Sequence, residues 1–204
     1  MKVQIPDQEF RKAEYRIFPT LIQVHQLDFD TVRTYTSVVN AFLDDCDMDT
    51  WPDDIGKGTT SSRQVMNLLH LNEFANLKNL IDERLTEYCD DAGLGPVEIG
   101  KSWVNQQVQE GYVASHRHEL SIVSGAYYPM VDEGSGSFVV ESPIRTPRMA
   151  EIHNKTTDFT ANKMEFEPKS GMLILFPSWL YHYSLPNKTA NRVTISFNTF
   201  HKNS

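Results

Sequence analysis

Apolar and polar positions recur with two different periods along the chain, and the change falls near residue 96. Upstream, a short strand is predicted over residues 17–24 and a helix over residues 29–43, followed by an acidic loop. A second helix is predicted to begin with Asn72 as its N-cap and to end at Gly93. Its apolar positions recur at spacings of three and four residues, at Phe74, Leu77, Ile81, Leu85 and Tyr88.

Downstream of residue 96 the apolar runs are short and separated by turn residues, which is typical of β-strands. Two helices followed by many strands favour a mainly β, α+β chain in which the helices support an antiparallel sandwich, and eight strands suffice for a jelly roll. Residues 132–137 are predicted to form a hairpin turn, and residues 144–163 a long excursion over the barrel mouth. The predicted strands cover residues 97–108, 112–120, 124–131, 137–143, 164–168, 171–177, 179–184 and 192–200.

The last predicted strand has one polar and one apolar face. Its polar positions are Arg192, Thr194, Ser196 and Asn198, and they alternate with Val193, Ile195 and Phe197. On a surface strand this alternation means that the polar face contacts solvent. In a barrel with a functional interior, the polar face points inward instead. Histidines elsewhere in the strand-rich half favour the second interpretation.

Composition sets limits on the class of protein. A length of 204 residues fits one domain, with residues 1–96 as helical support and first strand and residues 97–204 as the jelly-roll core. The net charge of −8 disfavours nucleic acid as a partner. Cys46 and Cys89 are isolated, which favours a reducing, cytoplasmic compartment, and no apolar run is long enough to span a membrane.

The candidate chemistry comes from three histidines and one arginine. His182 precedes Arg192 by ten residues, and a Pro-Asn turn between two apolar stretches predicts that both lie on one antiparallel hairpin. His116 and His118 are two residues apart, so in a strand their rings leave the same face. Three imidazoles and a guanidinium could therefore converge, as a mononuclear iron site that binds a small dicarboxylate requires.

The middle ligand of such a site stays open at this point. A facial Fe(II) site usually has two histidines and a carboxylate, and the position of that carboxylate is occupied here by His118. Glu119 is the alternative, although strand alternation points it away from His116. Three neutral imidazoles would leave the metal with its full charge, and zinc could bind the same rings. Arg192 can hold a carboxylate through two hydrogen bonds, with the Thr194 hydroxyl on the same face.

The two stretches "SWVNQQVQEGYVASHRHELSIVSGAYYPMVDEGSGSFVVESP" and "PKSGMLILFPSWLYHYSLPNKTANRVTISFN" resemble the Fe(II) and 2-oxoglutarate-dependent oxygenase superfamily, and within it a bacterial and phage branch. The resemblance implies a double-stranded β-helix with 2-oxoglutarate and dioxygen as cosubstrates. It implies that the metal ligands are His116, His118 and His182. Arg192 would pair with the distal carboxylate of 2-oxoglutarate, Tyr128 would hydrogen-bond the same carboxylate, and Asn105 would line the cavity.

The implied reaction is oxidative decarboxylation of 2-oxoglutarate to succinate and carbon dioxide, coupled to hydroxylation of a substrate that the sequence does not identify. Two alternatives stay open. One is a three-histidine, cupin-like dioxygenase that needs no oxo-acid, for which Arg192 would have no use. The other is a noncatalytic jelly-roll binding module that has kept the scaffold. For an enzyme, the substrate is expected to be a small molecule or a protein residue.

Overall fold

The computed structural model describes residues 18–146 and 148–202. Its first part is partly helical, and from residue 97 onward it consists of strands and loops. The elements of the first part are β1 (Gln23–Gln26), α1 (Phe29–Asp45), β2 (Asp49–Thr50), β3 (Gly56–Lys57), β4 (Thr59–Thr60) and α2 (Ala75–Ala92), with 3-10 turns at Leu68–His70 and Asn72–Phe74. The strands of the second part are β5 (Val97–Gln107), β6 (Tyr112–His116), β7 (Val123–Val131), β8 (Phe138–Glu141), β9 (Lys163–Phe166), β10 (Met172–Pro177), β11 (His182–Ser184) and β12 (Arg192–His201).

Both predicted helices are present, with one correction at an end. The N-cap of α1 is Asp28, whose side chain accepts a hydrogen bond from the Thr31 N–H. The prediction that Asn72 caps the second helix is wrong: Asn72 lies in a 3-10 turn, and the Ala75 N–H donates to its backbone carbonyl. The helix ends as predicted, because Gly93 adopts a left-handed φ of 68°.

All strand pairs are antiparallel, and they form two sheets. One sheet has seven strands in the order β1-β10-β7-β12-β5-β4-β2, and the other has five in the order β3-β6-β11-β8-β9. The eight predicted strands all exist, and the predicted mainly β class with a double-stranded β-helix architecture is confirmed. The strand predicted over residues 17–24 lies at Gln23–Gln26, and residue 17 is outside the described residues.

Two predicted hairpins are wrong. Strands β7 and β8, on either side of residues 132–137, lie in different sheets, and so do β11 and β12. The β11 strand pairs with β6 and β8, whereas β12 pairs with β5 and β7. Each connection therefore crosses between the sheets, as in a jelly roll. His182 and Arg192 consequently face each other across the interior and do not share a hairpin.

The stretch predicted as an acidic loop contributes to both sheets. Strands β2 and β4 extend the seven-stranded sheet beyond β5, and β3 pairs with β6 in the other sheet. Gly56 makes this possible: its φ is 146°, and a Cβ there would lie 2.2 Å from the Tyr112 carbonyl oxygen. This segment therefore supplies an edge strand to each sheet, β2 to the seven-stranded sheet and β3 to the five-stranded sheet.

The helices cover the outer face of the seven-stranded sheet. The apolar face of β12, with Val193, Ile195 and Phe197, packs there against side chains of α2 such as Leu77 and Ile81. A second, smaller apolar cluster lies between the sheets: Ala126, Tyr128, Phe138, Val140, Met172, Ile174, Phe176 and Leu180. Because the helices occupy the outer face, the polar face of β12 points into the sandwich, as predicted.

The segment between β8 and β9 is long, as predicted, but its described residues do not line the interior cavity. Arg145 and Thr146 instead border a separate cavity of about 340 Å³ beside the exposed rings of Trp179 and Tyr181. The predicted position of this segment over the mouth is therefore not met by the residues that the structure describes. No helix in the described part of the chain is long and apolar enough to cross a membrane.

Candidate metal centre

Three imidazoles meet between the two sheets. His116 is the last residue of β6 and His182 the first of β11, and the two are register partners in the five-stranded sheet. Their ring centroids are 4.3 Å apart, and those of His118 lie 5.0 Å from His116 and 5.2 Å from His182. One ligand nitrogen from each ring can be chosen so that all three lie within 4.8 Å of one another. This spacing suits a single metal ion with three nitrogen ligands.

His118 reaches this site by a different route from the predicted one. The β6 strand ends at His116, so the same-face rule for a strand does not place His118. The chain instead leaves the sheet, and the His118 N–H donates to the Ser178 carbonyl at 2.9 Å. Its ring lies edge-on to Trp103 at a centroid distance of 6.2 Å. Glu119 is exposed and pairs with Arg117 at 2.8 Å, so the structure brings His118 to the cluster and not Glu119.

Backbone carbonyls orient two of the rings. His116 Nδ1 lies 2.8 Å from the Ala114 carbonyl oxygen, and His182 Nδ1 lies 2.9 Å from that of Leu180. Because a carbonyl can only accept, each Nδ1 must carry the hydrogen, and each Nε2 is left with a free lone pair. The same arrangement orients histidine ligands in known metal sites.

Burial keeps the three rings neutral. It lowers the pKa of His182 to about 3, with a further lowering from the neighbouring His116 and His118. It also lowers the pKa of His118 to about 4, again with a contribution from His116. The pKa of His116 is lowered by burial as well, although the hydrogen bond to Ala114 opposes this. Neutral imidazole is the form that binds metal, so the rings need not lose protons to do so at neutral pH.

Arg192 faces the same interior, and none of the described residues forms an ion pair with it. The residue is 2% exposed, and its Nε and Nη1 groups have no hydrogen-bond partner in the described part of the chain. Its Nη2 donates a long hydrogen bond of 3.4 Å to the Tyr128 hydroxyl, and the guanidinium carbon lies 5.5 Å from that ring's centroid. A buried charge that lacks a partner costs several kcal/mol. The unpaired edge of this guanidinium therefore suits an anionic ligand.

A cavity of about 390 Å³ joins the guanidinium to the imidazoles. Its floor is formed by facing positions of β5 and β12, in the pairs Arg192 with Gln107, Thr194 with Asn105, Ser196 with Trp103, and Asn198 with Lys101. Asn105 donates to the Ser196 hydroxyl at 3.0 Å, and its side-chain oxygen accepts no hydrogen bond from the residues that the structure describes. The predicted residues Asn105, Tyr128, Arg192 and Thr194 all line this cavity. In the Tyr127-Tyr128 pair, Tyr127 packs on the helix side instead.

Sequence reasoning missed a buried polar cluster beside the imidazoles. The Ser124 hydroxyl donates to the Asn198 side-chain oxygen at 2.7 Å and lies 2.7 Å from the Ser178 hydroxyl. The Ser178 carbonyl is the group that accepts from the His118 N–H. The available signal was a small polar residue in each of the fragments "SG", "PS" and "FN", which are far apart in the chain and share no spacing.

The fold is shared with solved structures of 2-oxoglutarate- and Fe(II)-dependent oxygenases. Residues 101–198, close to half of the chain, match the family model described as "Putative 2OG-Fe(II) oxygenase". Fe(II) and 2-oxoglutarate are the cofactor and cosubstrate of the family. No curated protein matches the chain.

Solved structures of this class share the fold. A Pseudomonas putida prolyl-4-hydroxylase is 13% identical with a TM-score of 0.64, over 90% of this chain and 92% of that one. The viral collagen prolyl hydroxylase of Paramecium Bursaria Chlorella virus-1, in its 2OG complex, is 12% identical with a TM-score of 0.59, over 89% and 96%. HygX from Streptomyces hygroscopicus, with nickel, 2-oxoglutarate and hygromycin B bound, is 14% identical with a TM-score of 0.62, over 90% and 84%.

Proposed function

We propose that this protein is a non-haem Fe(II) dioxygenase that couples oxidative decarboxylation of 2-oxoglutarate to hydroxylation of a substrate. One observation carries the proposal: the buried guanidinium of Arg192, with two unpaired nitrogens, opens into the same cavity as three neutral imidazoles. The donor set fits the metal, and the guanidinium fits the distal carboxylate of the cosubstrate.

The side chains have distinct roles in this proposal. His116, His118 and His182 would hold the iron through Nε2. Arg192 would bind the distal carboxylate through its guanidinium, and the Tyr128 and Thr194 hydroxyls face the same space. When bound, the iron and 2-oxoglutarate supply the activation of dioxygen and the attack on a C–H bond. The protein contributes orientation and the exclusion of water.

Arg192 and the three imidazoles argue against the two alternative functions. A cupin-like dioxygenase without an oxo-acid would leave a buried guanidinium unpaired throughout its reaction. A noncatalytic module would have no need for three imidazoles whose free nitrogens converge.

The proposal also includes three finer assignments. The substrate is a small molecule or a protein residue, and dioxygen is the second cosubstrate. The location is cytoplasmic, which the free thiols of Cys46 and Cys89 support.

Anaerobic titration with Fe(II) and 2-oxoglutarate tests the proposal. A 2-oxo acid chelated to Fe(II) gives a visible charge-transfer absorption, which we expect for the wild-type protein. We expect no absorption for His182→Ala, because a ligand is missing, and a much higher 2-oxoglutarate requirement for Arg192→Met. Arg33→Met removes an exposed arginine of α1 and serves as the matched control. In air, succinate must form only when 2-oxoglutarate is present. Titration curves that are the same for all four proteins would refute the proposal.

A further inference from the structure

The charges that line the cavity are unbalanced. Lys101 and Arg192 line it, and so do the three neutral imidazoles, but no aspartate or glutamate of the described residues does. This is unexpected for a protein with 27 acidic and 19 basic residues.

The third imidazole adds to this imbalance. In an Fe(II) site with a carboxylate ligand, the charges of the metal, that carboxylate, the dianionic cosubstrate and one arginine add up to zero. With His118 in place of the carboxylate, one positive charge is left over inside the cavity, and the exposed ammonium of Lys101 lies at its end. Positive charge in an enclosed site is costly unless an anion accompanies it. The cosubstrate alone therefore does not neutralise the cavity.

We propose that the substrate is a small anion whose acid group is held at Lys101. This inference rests on the proposed function and names the substrate class of that same site. Lys101 is exposed, and it makes no ion pair with any residue in the described ranges. Its position at the end of the cavity leaves the ammonium group available to a ligand.

The floor of the cavity separates the two cations. Arg192 pairs with Gln107 at one end of the floor, and Asn198 pairs with Lys101 at the other. Six strand residues at about 3.4 Å each put roughly 20 Å between the two ends. The imidazole of His118 lies against Trp103. Trp103 is the neighbour of Lys101 on the cavity-facing side of β5. The cosubstrate therefore belongs to the Arg192 side of the imidazoles, and the Lys101 side is left for the substrate.

Apolar side chains form part of the wall on the Lys101 side. Trp103 is joined there by Met66, whose backbone carbonyl accepts from the N–H of Ser102, next to Lys101. A total volume of about 390 Å³ must hold both cosubstrate and substrate, which restricts the substrate to a small molecule. Trp103 and Lys101 are two positions apart on the strand, which is roughly 7 Å. Because the metal-binding imidazoles lie beside Trp103, the attacked carbon of the substrate should lie several bonds from the acid group that Lys101 holds. The expected substrate is an apolar or aromatic molecule with one terminal acid.

Isosteric probes can measure this preference without turnover. The full-length protein, loaded anaerobically with Mn(II) and 2-oxoglutarate, is titrated with 4-phenylbutyrate, 3-phenylpropyl phosphate, 4-phenylbutanol and 4-phenylbutylamine, and binding is followed by calorimetry. We expect both acids to bind more tightly than the alcohol, and the amine to bind most weakly. The carboxylate and phosphate arms show which acid the site takes. Lys101→Gln should weaken acid binding by about two- to fivefold, as expected for one exposed ion pair, and leave the alcohol unaffected.

Lys57→Gln is the matched control, because Lys57 is an exposed lysine on β3 that does not line the cavity. The inference is overturned if the alcohol binds as tightly as the acids, if no acid binds, or if Lys101→Gln and Lys57→Gln have the same effect. The 2-oxoglutarate affinity is measured first in the same samples. Failure of 2-oxoglutarate to bind would contradict the proposed function, whereas normal 2-oxoglutarate binding without acid preference contradicts only the anionic substrate.

Discussion

Replacement of Arg192 by methionine should reverse the usual effect of a core substitution. Two buried N–H groups without partners cost about 1–3 kcal/mol each in the ligand-free protein. The compensating interactions are the 3.4 Å hydrogen bond to the Tyr128 hydroxyl and the guanidinium–ring contact, worth about 1 kcal/mol each. Methionine removes the unpaired groups and fills most of the same space. The difference is about 2 kcal/mol at mid-range, and we therefore expect Arg192→Met to stabilise the ligand-free protein by about that amount.

Thermal unfolding with and without ligand measures this effect. For a domain of this size the expected gain corresponds to a rise in Tm of about 3–8 °C. Saturating 2-oxoglutarate with Mn(II) should stabilise the wild type by about 2.7 kcal/mol at one hundred times its Kd, and Arg192→Met by much less. Ligand should thus reverse the order of stability of the two proteins. Arg192→Lys keeps the buried charge and should not be stabilised.

A loss of more than about 1 kcal/mol in ligand-free Arg192→Met would refute this reasoning. That result would mean that the guanidinium is well compensated without ligand, and the inference of an anion site from its unpaired nitrogens would no longer hold.

Three further predictions concern the surroundings of the site. In metal-free protein the pKa of His182 is about 3 in the folded state and about 6.5 in the unfolded state. The free energy of unfolding should therefore be constant above pH 6.5 and fall below it by up to about 1.4 kcal/mol per pH unit. Urea unfolding at pH 7.5, 6.5 and 5.5 should show a smaller fall for His182→Asn than for the wild type. Asn198→Ala should weaken Mn(II) binding several-fold in calorimetry through the Ser124–Ser178 hydrogen bonds, while Thr199→Val, on the same strand, should only lower Tm. Gly56→Ala should destabilise by about 2–4 kcal/mol in urea unfolding, because its Cβ would collide with backbone, and Gly95→Ala should be nearly neutral.

Local pattern was sufficient to predict the strands and the inward polar face of β12. The alternation from Arg192 to Asn198 depends only on the two-residue period of a strand, and the inward position of the Arg192 guanidinium follows from it. The pairing of strands was not predictable in this way. Whether β11 pairs with β12 or crosses to the other sheet depends on contacts with β5 through β8, which no local spacing encodes.

His118 shows the same limit at the scale of one residue. The two-residue spacing from His116 predicted that His118 joins the imidazole cluster, and it does. The reason was different, because β6 ends at His116 and the position of His118 is fixed by the hydrogen bond from its N–H to the Ser178 carbonyl. The short strands β2 to β4 escaped prediction because two-residue strands have no periodicity. The metal and cosubstrate roles of the individual residues stay predictions. The same holds for the description of the chain as one domain with a helical part up to residue 96 and a jelly-roll core after it.

The cavity wall that contains Trp51, Ile55 and Met66 comes from a stretch that precedes residue 101, where the family match begins. The imidazoles and Arg192 come from within the matched stretch. Part of the cavity wall is thus encoded outside the stretch that carries the imidazoles, Arg192 and Lys101. Exchange of the segment from residue 46 to residue 67 would reshape that wall while the imidazole and guanidinium side chains stay unchanged.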